Sequence, residues 1–144
     1  PDWQAEAGAF FTREFPDLVV FNPRRTEWDM NADPEEVHEQ IKWEHTAISM
    51  ATAHLFWFCA ETVQPIVLYE LGKIQAMGRR MFIGVDTGYP RITDVINQMG
   101  LLGRLSEDPM EHEMVFTDLN ILLHSVRLAL HGYGTPFGVV RPSW

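Results

Sequence analysis

The chain has 144 residues, 46% of them hydrophobic and 22% charged, with 20 acidic against 11 basic side chains and a formal net charge of −9. That length fits one domain spanning 1–144, and the composition excludes disordered, collagen-like and cysteine-framework classes. The acidic balance argues against a nucleic acid polymer as partner, but leaves open a small anionic ligand held by a few local donors.

The single cysteine, Cys59, allows no internal disulfide. No apolar run reaches the roughly 18 residues that a membrane span needs, so no membrane partner is expected. The opening Pro1-Asp2-Trp3-Gln4 lacks the basic and apolar regions of a signal peptide. A cytoplasmic protein is therefore expected.

In chain order, Trp3 to Phe15 reads as a helix stopped by Pro16. Leu18-Val19-Val20-Phe21 is a short apolar run with β-branched residues, ended by Asn22-Pro23, and is expected to form a buried strand. A polar loop follows from Arg24 to Asn31. Asp33-Pro34-Glu35-Glu36 has the residues of a helix start: a capping Asp, Pro in the first turn, and acids near the positive end of the helix dipole. That helix should run to about Ala51.

His54 to Cys59 is expected as a second buried strand, with a loop over Glu61 to Gln64 and a helix from Pro65 to about Met77. Gly78 turns the chain into a third strand, Met81 to Val85. A Gly- and Pro-containing loop, Asp86 to Pro90, precedes a helix over Ile92 to Leu102. Glu113 to Phe116 is a weak fourth strand, and Thr117 to Leu130 a last helix with Leu119, Leu122, Leu123, Val126 and Leu130 at helical spacing. The tail from His131 is rich in Gly and Pro and is expected to turn.

Alternating strands and helices indicate an α/β fold with a parallel sheet and helices on both faces. Ligands in such sheets bind beyond the C-terminal ends of the strands. Those ends lead into the segments around Asn22 to Arg25, Cys59 to Gln64, and Asp86 to Arg91. No Gly-rich phosphate loop, dinucleotide fingerprint or nucleophile elbow is present, and the six histidines show no zinc spacing. No metal and no cofactor are expected.

Two carboxylates bear on chemistry. Glu70 lies in the mostly apolar Leu68-Tyr69-Glu70-Leu71-Gly72, on the helix after the second strand. Glu44 lies in Ile41-Lys42-Trp43-Glu44, beside a tryptophan. Taken singly, each reads as a solvated or capping acid. Two carboxylates converging in a partly apolar pocket could do acid, base or nucleophile work. Asn22, Arg24 and Arg25 supply donors at another strand end, or else a solvated loop.

Phe21-Asn22-Pro23-Arg24-Arg25, Gln40-Ile41-Lys42-Trp43-Glu44 and the stretch Phe56 to Gly72 occur in this order, followed by Ile83-Gly84-Val85, Tyr89, Arg91 and Asp94. Together they resemble the nucleoside 2-deoxyribosyltransferase-like family over about residues 18 to 125. The resemblance implies a flavodoxin-like (Rossmann-like) fold and cleavage or exchange of the N-glycosidic bond of a (deoxy)nucleoside or nucleoside monophosphate. It places the nucleophile on Glu70 and a second acid on Glu44, where the family often has Asp. Asn22, Arg24, Arg25, Gln64, Trp43, Tyr69 and Tyr89 become candidate substrate-binding residues. The expected partners are a small nucleoside or nucleotide and further copies of the chain, as a dimer or higher homo-oligomer.

The chain departs from the family pattern in three places. Thr52 stands where Asp is usual, and Gln64 where relatives carry Asp or Ser. The family's first strand, with its Gly-containing loop, has no counterpart before Trp3. A non-catalytic nucleotide-binding or structural protein on the same scaffold is the alternative these departures motivate.

Overall fold

The first helix, α1 (Trp3–Glu14), is capped by Asp2, whose Oδ1 accepts the Ala5 N–H at 3.1 Å. Its Ala7, Phe10 and Phe11 are buried, and the Phe10 and Phe11 rings meet edge to face at 5.4 Å. The computed structural model describes residues 2–24, 33–103 and 115–132. Within it the chain divides into two compact units, Pro1–His54 and Leu55–Trp144.

In the first unit, α2 (Pro34–Met50) begins as its sequence dictates. Asp33 accepts the N–H groups of Glu35 at 2.8 Å and Glu36 at 3.0 Å, with Pro34 in the first turn.

The expected strand over Leu18–Phe21 is not one. These residues are irregular and exposed, Val19 at 68% and Phe21 at 41%. A strand exists only where a neighbour takes its backbone hydrogen bonds, and no strand of the described residues pairs with this run. Its apolar composition signals a tendency that is not realised here.

The second unit is built on a parallel sheet. Strands β1 (Ala53–Phe58), β2 (Arg80–Val85) and β3 (Val115–Phe116) lie in the order β1-β2-β3. β1 begins two residues before the boundary between the units. The last three residues of β1 and of β2 are buried, as continuous apolar runs in a covered parallel sheet should be. β2 and β3 are in register Ile83 to Val115 and Gly84 to Phe116. The weak fourth strand of the sequence is thus the two-residue β3. Glu113 and Met114 lie outside the described residues, as does the tail after Gly132.

Helices α3 (Pro65–Ala76), α4 (Ile92–Gly103) and α5 (Leu119–Gly132) surround the sheet: α3 and α5 pack on β2, and α4 and α5 on β3. This α/β arrangement is consistent with a flavodoxin-like fold. The α3 stop is a Schellman turn. Gly78 adopts φ 62°, its N–H donates to the Gln75 carbonyl at 3.0 Å, and the Arg79 N–H donates to the Ile74 carbonyl at 3.3 Å. At α5 the start is Asp118, which accepts the Ile121 N–H at 3.0 Å.

Gly84 leaves room for side chains packed over β2. A Cβ there would overlap the Trp57 ring and come within 2.8 Å of Leu122 Cδ2. Trp57 therefore lies over β2, and its ring is core. No helix of the described residues is long and apolar enough to cross a membrane.

Candidate active site

The first unit gathers several of the candidate residues around one segment. Asn22 turns the chain by accepting the Arg24 N–H on its side-chain oxygen at 3.0 Å. The Arg24 guanidinium then reaches the head of α1, 2.7 Å from Asp2 Oδ1 and 3.3 Å from Gln4 Oε1. Gln40 on α2 donates to the Pro23 carbonyl at 3.4 Å and to Glu44 Oε1 at 2.6 Å. The Gln40 amide thus links the Asn22–Arg24 turn to the Glu44 carboxylate and fixes which way that carboxylate faces.

Asn22, Pro23, Arg24, Glu39, Gln40 and Trp43 line an open groove of about 470 Å³. Trp43 is 44% exposed and meets the Phe21 ring edge to face at 6.3 Å, so the two form a partly exposed aromatic surface. Arg25 lies outside the described residues.

Gln40, Asp2 and Gln4 were not among the candidates. Gln40 was recoverable from its i,i+4 spacing to Glu44 on a helix. Nothing local marks Asp2 and Gln4, because Arg24 meets them only through the fold.

In the second unit, the segments after β1 and β2 meet. Glu70 is half-buried in the second turn of α3, next to the buried Leu71. Tyr69 is 71% exposed on the same helix. Gln64, the residue before α3, has a left-handed backbone (φ 52°, ψ 59°).

Burial pushes the Cys59 thiol pKa up. The Gln64 side chain opposes this, and the Glu61 and Asp86 carboxylates add to it. Tyr89 is 2% exposed, packed against the Phe58 ring at 5.2 Å, and its hydroxyl donates to the Val63 carbonyl at 2.7 Å. Its ring and its hydroxyl are both engaged within the protein. Burial, ahead of the opposing Arg91 charge, pushes its phenol pKa up. Thr52 is exposed.

The family model described as nucleoside 2-deoxyribosyltransferase like matches residues 1–89, more than half of the 144 residues. The chain belongs to that family. A search of curated proteins and a search of solved structures each returned no match. The matched stretch of this nucleoside 2-deoxyribosyltransferase-like chain starts earlier than the resemblance in the sequence suggests, at residue 1, and ends at Tyr89. It contains the Asn22–Arg25, Gln40–Glu44 and Phe56–Gly72 elements. Arg91 and Asp94 lie beyond it and pair with each other at 2.6 Å.

Proposed function

We propose that this family member cleaves or exchanges the N-glycosidic bond of a (deoxy)nucleoside or nucleoside monophosphate, with Glu70 as nucleophile. The observation that carries the reading is the family match over residues 1–89, which includes the Glu-Leu-Gly element at Glu70 and the Lys-Trp-Glu element at Glu44. A half-buried carboxylate in the second turn of a helix after a sheet strand suits a nucleophile. It follows the C-terminal end of β1, the side on which parallel sheets bind ligands.

In the proposed reaction, a Glu70 oxygen attacks the anomeric carbon from the face opposite the base. The C–N bond breaks and its electron pair leaves with the base. A second acid, assigned to Glu44, supplies the proton that makes the base a competent leaving group. The result is a sugar ester of Glu70. Water resolves the ester to free sugar, or a second base attacks it to give a new nucleoside. Asn22 and Arg24 serve the base edge or a 5′-phosphate, Arg25 assists them, and Trp43 or Tyr69 stacks on the base. Gln64 takes the place of the acidic or hydroxyl group that relatives direct at the ligand.

The test is incubation with a panel of deoxynucleosides and monophosphates, with and without an acceptor base, followed by separation of the products. Wild type should release or exchange the base, and Glu70→Gln should fold normally and lose at least about 10³-fold in rate. An unchanged rate in Glu70→Gln would remove Glu70 from the mechanism.

The residues Thr52 and Gln64, at positions where the family pattern carries other side chains, favour one second reading, a nucleotide-binding protein without turnover. Tight nucleotide binding with no base release on prolonged incubation would select it.

A further inference from the structure

We propose that Tyr89 is a positioning residue that holds the entrance of α3, and through it Glu70, in the orientation the reaction needs. The proposal rests on Glu70 being the nucleophile. It begins with a strained backbone. Gln64 is the one non-glycine residue at positive φ among the described residues, and no side chain caps the helix start there. A left-handed conformation costs an ordinary residue about 1–2 kcal/mol and persists only where its surroundings enforce it.

One contact enforces it here. The Val63 carbonyl accepts the Tyr89 hydroxyl at 2.7 Å. The Val63 carbonyl and the Gln64 nitrogen belong to one rigid peptide plane. Fixing that oxygen therefore fixes the plane from which the φ of Gln64 is set, and with it the direction in which α3 leaves.

Tyr89 is itself anchored before it reaches Val63. The Asp86 N–H donates to the Phe58 carbonyl at 2.8 Å, which ties the end of β2 to the end of β1. Asp86 then folds the loop, accepting the Gly88 N–H on its side chain at 2.8 Å and the Tyr89 N–H on its carbonyl at 2.9 Å. Gly88 lets the loop approach its neighbour closely, since a Cβ there would sit 3.1 Å from the Ala60 Cβ. The Phe58 ring holds the phenol from the side. Each link is buried or backbone-bonded, so the hydroxyl presents a fixed donor. Glu70 lies six residues after Gln64, about 9 Å along a rigid helix. A small tilt at the entrance thus becomes a displacement of the carboxylate. Tyr89 acts on the reaction through this geometry without touching the sugar.

Tyr89→Phe keeps the ring and removes only the hydroxyl. Two measurements test it. The first is amide exchange by NMR. The Leu68 N–H, which donates to the Gln64 carbonyl at 3.1 Å, is the first helical bond of α3. It should exchange about tenfold faster in the variant, while the β2 amides keep their wild-type rates. The second is the kinetics of base release. Here kcat should fall about tenfold or more and KM should stay within about twofold, because misplacing a reacting group harms the chemical step and spares substrate binding.

Unchanged Leu68 exchange would overturn the proposal. So would equal acceleration over β2, which marks general destabilisation, or localised acceleration with wild-type kcat. If wild type releases no base from any nucleoside, the nucleophile assignment fails and the proposal, which rests on it, is overturned. The Leu68 exchange then shows separately whether Tyr89 holds the turn.

Discussion

Gly84→Ala tests the packing of the Trp57 ring and Leu122 over β2. The added Cβ would overlap the Trp57 ring and lie 2.8 Å from Leu122 Cδ2, and Leu122 is fully buried. Overpacking a tight core costs about 1–3 kcal/mol. Replacing glycine returns about 0.4–1 kcal/mol by restricting the unfolded chain. The net expectation is a destabilisation of about 1–2 kcal/mol, or roughly 3–8 °C in Tm for a chain of this size.

Leu122→Ala alone leaves a cavity and should cost about 2–5 kcal/mol. In the double variant the new methyl group and the displaced Trp57 ring can occupy that space. The two effects should therefore fall short of their sum by at least about 1 kcal/mol. Urea denaturation of the four proteins measures the cycle. Wild-type stability in Gly84→Ala, or strict additivity in the double variant, would refute the assigned packing.

Three further outcomes are expected. Asp33→Ala removes the acceptor for two N–H groups at the head of α2 and should cost about 0.5–2 kcal/mol by urea denaturation. Arg24→Ala breaks a half-exposed ion pair with Asp2 and should change stability by less than about 1 kcal/mol. In calorimetry it should weaken binding of a nucleoside monophosphate about tenfold or more while affecting the nucleoside much less; equal losses for both would place the phosphate elsewhere. Because burial raises the folded-state pKa of Cys59 above 9.0 and of Tyr89 above 10.0, the unfolded chain releases these protons first. Their contribution to stability is fully present below those ordinary values and is lost as pH rises through the folded ones. The urea midpoint should therefore fall on going above about pH 9, and less steeply in Cys59→Ala.

Much of the fold was legible where local chemistry decides it. Asp33-Pro34 starts α2, Gly78 ends α3, and the apolar runs before Cys59 and Asp86 are strands, because capping, left-handed turns and burial are properties of a few adjacent residues. Leu18–Phe21 failed because strand formation depends on a partner that the run itself does not specify. At the candidate site the sequence shows which residue types are present and not the contacts they make. Glu44 was named without Gln40, whose amide orients it. The Tyr89 hydroxyl meets a backbone carbonyl 26 residues earlier. No local pattern encodes such a contact, and the left-handed turn at Gln64 carries none of the usual Gly or Asn signal.

The measurement closest to the central claim is mass spectrometry of protein quenched during turnover of a deoxynucleoside. The account predicts a mass increase of one deoxyribosyl group that maps to Glu70 and is absent in Glu70→Gln. Base release with no adduct on Glu70, together with undiminished release by Glu70→Gln, would contradict it.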